Sequence, residues 1–537
     1  MSADQSSDEA LSKCTILLVT GTGGFTHAAP VLELGRLLAS RGHTIHFATH
    51  KTQEKWILTN PSYAFISPAH IHPMGDPLTP QQEEAHYLAL QNTDIRVDYK
   101  SYFAPKYTVD AFWTSDYIHL LRITKAISPD AIVTDFFVEA TRDMQKQFGV
   151  PVAMVWPQMP YGMVSAGHIP GIPGFQVDAL TSEKASLWQR IRAALRPLRA
   201  ITTVVPYLRW VKRMRREAGV NYRLAGVTAG KPDYLGLVNS FWGLETPKDC
   251  PPLLQAVGPI LSEEYPGLDG ELRGFYERGK KRRVVYVCFG THITLPTEQV
   301  LMFLGALGDL LADGLVDGVI WSVGKKQRQQ FQPLLNQWTG GVREPVGMLL
   351  ENQSERWYFT PFAPQRAILD HPDTILFVTH GGGSSVNEAM YHGVRMLCLG
   401  FFFDQLLNGL RIVEAGVGLG LDKATFTRDE IYDKGRQVLL DEDGSFARNV
   451  ERMRHIARIS ARKKHYAADL IEEMMYDAKF GLDPNSGKMR PMHLQTADVR
   501  MPIWKAKNLD LLFLGGLGTA GFAGVSYWLY SWFRDQL

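Results

Sequence analysis

Cysteine is scarce, with four residues (Cys14, Cys250, Cys288, Cys398) in a chain of 537. They are scattered, three of them in apolar runs, and read as buried thiols. That pattern excludes a disulfide framework and a cysteine-ligated zinc site, and it favours a reducing compartment. Net charge is nearly absent as well: 57 Lys and Arg against 55 Asp and Glu leave +2. Such a balance gives no global field to gather nucleic acid. No repeat of short period and no low-complexity tract is present. The opening stretch MSADQSSDEALSK lacks the basic and apolar regions of a secretory leader, and residues 1–13 are expected to be disordered. Metal-ligand spacing is missing too. His70 and His72 flank Ile71 in a proline-containing loop without a third ligand at a recognised spacing.

What is present begins with alternation. Runs 14–21, 44–50, 130–137 and 150–157 read as buried strands. Between them 30–42, opened by Pro30, and 138–149 read as amphipathic helices. A second series comes later in the chain, with strands at 283–290, 318–324, 357–362, 375–380, 395–401 and 417–421. The expected fold class is α/β, with two Rossmann-like lobes of parallel sheet facing a cleft. The expected organisation is a first lobe over 14–245, a proline-rich linker over 246–282, and a second lobe over 283–480. Ligands would bind at the C-terminal ends of the strands.

The tail is different. Residues 511–533, LLFLGGLGTAGFAGVSYWLYSWF, contain no charge. As a helix they would extend about 35 Å, enough to cross a hydrocarbon core of about 30 Å. Aromatic residues cluster at one end, as at a membrane interface. Residues 481–510 then form a juxtamembrane linker. Arg490, Arg500, Lys505 and Lys507 precede the span and Arg534 comes after it, which places the preceding body on the cytosolic side. The expectation is a single-pass, tail-anchored protein with a cytosolic body, the endoplasmic reticulum being one candidate membrane. A second unusual segment, 182–219, carries ten Lys or Arg against Glu183 and Glu217, interleaved with Leu, Trp, Val and Tyr. It reads as basic amphipathic helices, either solvated on their own lobe or resting on an anionic membrane surface.

The most informative stretch is FVTHGGGSSVNEAMYHG, residues 377–393. His380 ends a strand. Gly381, Gly382 and Gly383 permit a sharp turn and close backbone approach. A helix then starts, whose N-terminal N–H groups and dipole form an anion site, with Ser384 or Ser385 adding hydroxyl donors. Glu388, one turn in, has the reach to hold sugar hydroxyls.

The longer run 362–408, FAPQRAILDHPDTILFVTHGGGSSVNEAMYHGVRMLCLGFFFDQLLN, resembles the nucleotide-sugar signature of the inverting UDP-glycosyltransferase family. LVNSFWGLE, VGPI and YVCFGT also resemble that family in style and order. The resemblance covers most of 14–480, weakens in the basic segment and ends before the tail. It implies the two-Rossmann GT-B type fold. It also implies that Phe362 and Gln365 meet the uracil and that Glu388 holds the ribose. Thr291, His380, Ser385 and the backbone about Gly382, Gly383 and Ser384 would hold the diphosphate, and Asp404 and Gln405 the sugar. In the first lobe, His27 of GTGGFTHAAP resembles the catalytic base, and Asp135 of IVTDFF its partner. Two departures stand out. Phe362 sits where many members carry tryptophan, and 381–384 read GGGS where plant members read CGWN. Asp441 to Asp443, DED, invites comparison with the metal sites of other glycosyltransferases but reads as a solvated turn.

The function expected from the resemblance is inverting transfer of a hexose, most simply glucose, from a UDP-sugar to a lipophilic hydroxyl acceptor such as a phenol or sterol. No cofactor or metal is expected, and the partners are the donor, the acceptor and a membrane, with no nucleic acid. Two other functions suit the same fold: a UDP-sugar epimerase or hydrolase, which would want extra carboxylates over the sugar, and a membrane scaffold that binds UDP-sugar without turnover.

Overall fold

The computed structural model of the protein describes residues 13–94, 98–160, 180–222 except 182, 224, 231–279, 281–334, 345–482 and 490–536. The expected disordered stretch lies, apart from residue 13, outside these. Two all-parallel sheets organise the chain. The first holds β1 (Thr15–Val19), β2 (Thr44–Thr49), β3 (Ile71–Pro73), β4 (Ala131–Asp135), β5 (Val152–Trp156), β6 (Leu235–Val238) and β7 (Leu254–Ala256), in the order β3-β2-β1-β4-β5-β6-β7. The second holds β8 (Val284–Cys288), β9 (Gly318–Ser322), β10 (Trp357–Thr360), β11 (Thr374–Thr379), β12 (Arg395–Gly400) and β13 (Gly418–Asp422), in the order β10-β9-β8-β11-β12-β13. Strands such as Ile16–Val19 and Val284–Val287 are buried throughout, because helices cover both faces of a parallel sheet.

The order of strands reverses between β1 and β4 in the first sheet and between β8 and β11 in the second. Val19 pairs with Thr134, and Cys288 with Thr379, so each reversal opens a crevice at strand C-termini. His27 and Asp135 stand at the first crevice. Gly290 and His380 stand at the second.

Two expected boundaries are corrected. Residues 463–480 do not belong to the second lobe's core. In the helix Lys463–Phe480, Leu470, Ile471, Met474 and Met475 are buried with Leu34 and Leu38 against the first sheet. Lys464 Nζ pairs with Glu33 at 2.7 Å and Arg41 with Asp469 at 2.7 Å, fastening the return. Periodicity identified an apolar helix face, but periodicity does not say which lobe receives it. The linker 246–282 is likewise divided. β7 joins the first sheet, while the helix Gly270–Glu277 buries Leu272, Phe275 and Tyr276 in the second core. Helix Ser445–Ala461, by contrast, packs Met453 and Ala457 on the second lobe.

The basic segment forms one helix, Leu187–Glu217, opened by a reciprocal cap between Ser186 and Gln189. The tail forms the helix Leu509–Gln536, long and apolar enough to cross a membrane, with no part of its apolar window buried. At about 1.5 Å per residue it is about 42 Å long. Between body and tail, Met492 and Leu494 pack on the first core, and Lys231 Nζ holds Asp498 at 2.7 Å.

Ile471→Ala removes a fully buried side chain and should cost about 2–5 kcal/mol. Hydrogen exchange should accelerate in β1, β2 and β4 while β8, β11 and β12 keep their protection. Loosening of the second sheet instead would contradict the assignment of this helix.

Candidate active site

The first half of the site grows from the turn after β1. Gly23 and Gly24 have φ of 99° and 73°, and a Cβ on Gly23 would lie 2.6 Å from the His27 ring, so only glycine fits there. The turn places His27 in the first turn of helix Phe25–Ser40. Asp135 ends β4 and is buried. Its Oδ2 lies 3.0 Å from His27 Nδ1, and its Oδ1 accepts the Phe137 N–H at 3.0 Å. The Phe136 and Phe137 rings flank the imidazole, with centroids at 5.7 and 4.8 Å. A carboxylate only accepts, so Nδ1 carries the proton and Nε2 is left with its lone pair. Burial alone would lower the His27 pKa. The charge and hydrogen bond of Asp135, aided by Asp404, outweigh it and hold the imidazole above its ordinary 6.5.

The second half grows from the end of β11. Helix Gly383–His392 starts without a side-chain cap. Its Gly383 N–H donates to Asp404 Oδ2 at 3.2 Å. Asp404 is the first residue of helix Asp404–Glu414, and burial raises its pKa against the opposing pull of His27 and of backbone N–H groups. His27 and Asp404 thus act on each other across the cleft. His380 is enclosed by backbone: a Cβ at Gly290, whose φ is 74°, would lie 2.9 Å from its ring. Burial pushes its pKa down to about 4, a hydrogen bond to the Cys288 backbone opposing only in part. The ring is neutral near pH 7, and its buried Nδ1 has no hydrogen-bond partner among the described residues.

A third group sits one turn further along. Gln365 Nε2 donates to Glu388 Oε2 at 2.7 Å and to Ser385 Oγ at 3.3 Å. Burial raises the Glu388 pKa, while Gln365 and Arg366 oppose the rise. Phe362 projects from the loop before helix Gln365–Asp370 and is 79% exposed. Its carbonyl accepts the Thr360 hydroxyl at 2.7 Å, which fixes the loop. Ser384 is half-buried, and Thr291 is exposed on the turn after β8. Gln405 faces inward, its Oε1 accepting the Phe401 N–H at 3.1 Å. The expected residues therefore gather as His27, Asp135, Gly383 and Asp404, and as Gln365, Ser385 and Glu388, with His380 beneath the glycine turn.

Several residues escaped sequence reasoning. Glu245, from LVNSFWGLE, pairs with Arg411 Nη2 at 2.7 Å and accepts the Met159 N–H at 3.0 Å. Arg411 Nη1 donates to Asn408 Oδ1 at 2.7 Å, and Asn408 Nδ2 to the Gly381 carbonyl at 2.8 Å. This chain ties the glycine turn of one lobe to the strand ends of the other. Asn387 adds a bond to the Asn239 carbonyl at 2.8 Å. The family-like motifs held the signal, since Glu245, Asn387 and Asn408 all lie inside them. Helix Pro80–Asn92 had none. Its Tyr87 stacks on His292 at 3.9 Å, and its Gln91 donates to the Thr294 carbonyl at 2.7 Å, bridging the lobes at the cleft's edge. His46 stacks on His70 at 4.1 Å and its Nδ1 shares a hydrogen bond of 2.9 Å with His72 Nε2, a neighbour the sequence did not reveal. Among the described residues, no group of three His, Cys, Asp or Glu is arranged to hold a metal. Asp441 in the DED turn is engaged with Arg395 at 3.1 Å.

Chemically, the cleft sets a carboxylate-oriented imidazole opposite a helix N-terminus. One can take a proton and the other can accept developing negative charge. The family model described as "UDP-glucoronosyl and UDP-glucosyl transferase" matches residues 227–460. The UDP-glycosyltransferase FPY2 of Fusarium mangiferae is 38% identical, over 94% of this chain and 96% of that protein. The UDP-glycosyltransferase stmC of Aspergillus ustus is 38% identical over 96% and 97%. Among solved structures, a UDP-glucose: anthocyanidin 3-O-glucosyltransferase in complex with UDP matches with a TM-score of 0.56 at 17% identity, over 86% of this chain and 99% of that one. The likeness extends to the two-lobed GT-B architecture.

This geometry has two measurable consequences. Because the folded His27 pKa is raised, stability drawn from the His27–Asp135 pair is fully present below pH about 6.5 and is lost as pH rises through the folded value. NMR titration of the His27 ring should give a pKa above 6.5. In Asp135→Asn, where burial remains without the carboxylate, it should fall below 6.5; an unchanged value would break the pairing. Arg411→Met leaves the buried Glu245 carboxylate without this countercharge and should cost about 3–5 kcal/mol in denaturant unfolding. Adding Glu245→Leu to it should recover most of that loss.

Proposed function

The chain belongs to the UDP-glycosyltransferase family and transfers sugar from a UDP donor to small-molecule acceptors; we propose that it moves glucose, with inversion, to a hydroxyl of a lipophilic acceptor held by the first lobe. The observation that carries this reading is the 3.0 Å contact of His27 Nδ1 with Asp135, which directs the free Nε2 toward the cleft. Nε2 takes the acceptor's hydroxyl proton. The acceptor oxygen forms a bond to the anomeric carbon from the face opposite UDP, and the bond from that carbon to the diphosphate oxygen breaks. Its electrons leave with UDP. Asp135 stabilises the imidazolium that results.

The second lobe serves the donor. Glu388, held by Gln365, suits the ribose hydroxyls, and Phe362 offers an exposed face to the uracil. The N-terminus of helix Gly383–His392, with Ser384, Ser385, Thr291 and the neutral His380 nearby, suits the diphosphate. That dipole takes the leaving-group charge, so the reading calls for no metal or other cofactor. Asp404, at the Gly383 N–H and within electrostatic reach of His27, would hold sugar hydroxyls on this reading. Gln405, whose Oε1 accepts the Phe401 N–H, has Nε2 donors that suit the same sugar. The sugar is read as glucose because the Asp404–Gln405 pair resembles that of glucose users.

We read Leu509–Gln536 as a membrane span, with the body on the cytosolic side given Arg490, Arg500, Lys505 and Lys507 before it. An anchored transferase meets acceptors that partition into lipid.

The test is transfer from UDP-glucose to a panel of phenols and sterols, with and without chelator, beside two variants. His27→Ala should lower kcat about a hundred- to ten-thousandfold while UDP still binds. Glu388→Ala should weaken UDP binding at least about tenfold, the loss of charge-assisted hydrogen bonds. Undiminished transfer by His27→Ala would remove the base. Product lost to chelator would remove the metal-free reading, and UDP release without acceptor would favour hydrolysis.

A further inference from the structure

Helix Leu187–Glu217 packs one face only. Ala200 is buried, Met214 packs on the first-lobe core, and Tyr207 lies against Phe103 and Tyr107 and donates its hydroxyl to Asp110. On the opposite face Ile191, Leu195, Leu198, Ile201, Val205 and Leu208 succeed one another at intervals of three and four residues, and so form one row. They are between 36% and 60% exposed, and Trp188 beside the row is 65% exposed. The row runs about 26 Å along the helix. Beyond Leu208 the same face turns cationic and exposed, at Arg209, Lys212 and Arg216. Arg190, Arg192 and Arg199 flank the apolar part, also exposed. A row of this length is unusual on a water-facing helix.

The covering partner can be named from charge and position. Ten cations against two acids in 182–219 call for an anionic surface, and the apolar row calls for one with hydrocarbon beneath. The fold also brings this helix near the anchor. Arg215 holds Asp143 at 2.6 Å; the adjacent Arg142 holds Asp233 at 2.8 Å; and Lys231, two residues away, holds Asp498 at 2.7 Å. Asp498 belongs to the segment that leads into Leu509–Gln536, where Ile503 and Trp504 are also exposed. Three ion pairs in succession thus link the C-terminal end of the basic helix to the root of the span.

We propose that helix Leu187–Glu217 lies in the interface of an anionic bilayer, its row of Ile191 to Leu208 between the headgroups and its cationic end on their charges. This is a second membrane contact, independent of the span. It rests on the membrane-anchored reading only in supplying the bilayer, and it sets the acceptor lobe against lipid.

The test is hydrogen exchange of the full chain in nanodiscs of equal parts phosphatidylcholine and phosphatidylserine, and in discs of phosphatidylcholine alone. Peptides from 187–208 should exchange more slowly in the anionic discs. The variant Leu195→Glu/Leu198→Glu/Ile201→Glu, which alters exposed positions only, should lose that slowing while β4 and β5 exchange as before. Equal exchange in both discs, with Leu509–Gln536 protected, would overturn the proposal and leave the anchor standing. An unprotected Leu509–Gln536 would instead sink the anchor, and slowing at 187–208 on anionic vesicles would then still support this contact. Slowing that tracks protein concentration in phosphatidylcholine alone would assign the row to a second copy and overturn the proposal.

Discussion

A carboxylate at the end of a buried parallel strand needs a partner, and Asp135 has two. Removing a charge from water costs several kcal/mol unless hydrogen bonds replace its hydration. The Phe137 N–H satisfies one oxygen and the His27 imidazole the other. That requirement determines where the chemistry can occur. The imidazole must reach β4 from the helix after β1, so the turn between must be tight, and the glycine at 23 makes it so. The lone pair left on Nε2 is a consequence of satisfying Asp135, since the carboxylate keeps the proton on Nδ1.

The second sheet applies the same topology to the opposite charge. Where the first crevice holds a carboxylate and a base, the second holds helix N-termini and a neutral histidine. The helix after β11 directs its first N–H groups into the cleft, and the low pKa of His380 keeps positive charge from competing there. Facing crevices of opposite character are useful only if they remain in register. The chain of contacts from Glu245 through Arg411 and Asn408 to the Gly381 carbonyl provides that, joining the donor turn directly to the strand ends beside β5 and β6. Burial works against both charges of the Glu245–Arg411 pair, so its worth lies in fixing geometry more than in stability.

Features set by local pattern were legible in the sequence. Buried strands such as 14–21 and 375–380 announced themselves as apolar runs, and the glycine turn after His380 announced a helix N-terminus. His27 and Asp135 were nameable through the family resemblance of GTGGFTHAAP and IVTDFF; Asp135 also ends an apolar strand, whereas His27 lies in the helix that follows one. Residues whose roles arise from packing between distant segments were not legible. Ile471 looks like any residue of an amphipathic helix, and nothing in its neighbours says that it crosses back to the first sheet. Tyr87 and Gln91 lie in a stretch with weak periodicity, and their contacts with His292 and Thr294 exist only once both lobes are folded. His46 is separated from His70 and His72 by a whole crossover, so its stacking depends on β2 pairing with β3.

The distribution of exposed apolar surface bears on the same division. A lobe with the burial seen in β1, β4 and β5 has no thermodynamic reason to leave a long row of aliphatic side chains in water. The second lobe has no comparable row among its described helices. The first lobe has one, on a helix whose other face sets Tyr207 against Phe103 and Tyr107 and buries Ala200. The root of the apolar tail is fixed to that same lobe through Lys231 and Asp498. On the proposed reading the second lobe serves a water-soluble nucleotide, while the exposed apolar row lies on the lobe that holds His27 and Asp135, where an acceptor of low water solubility would arrive.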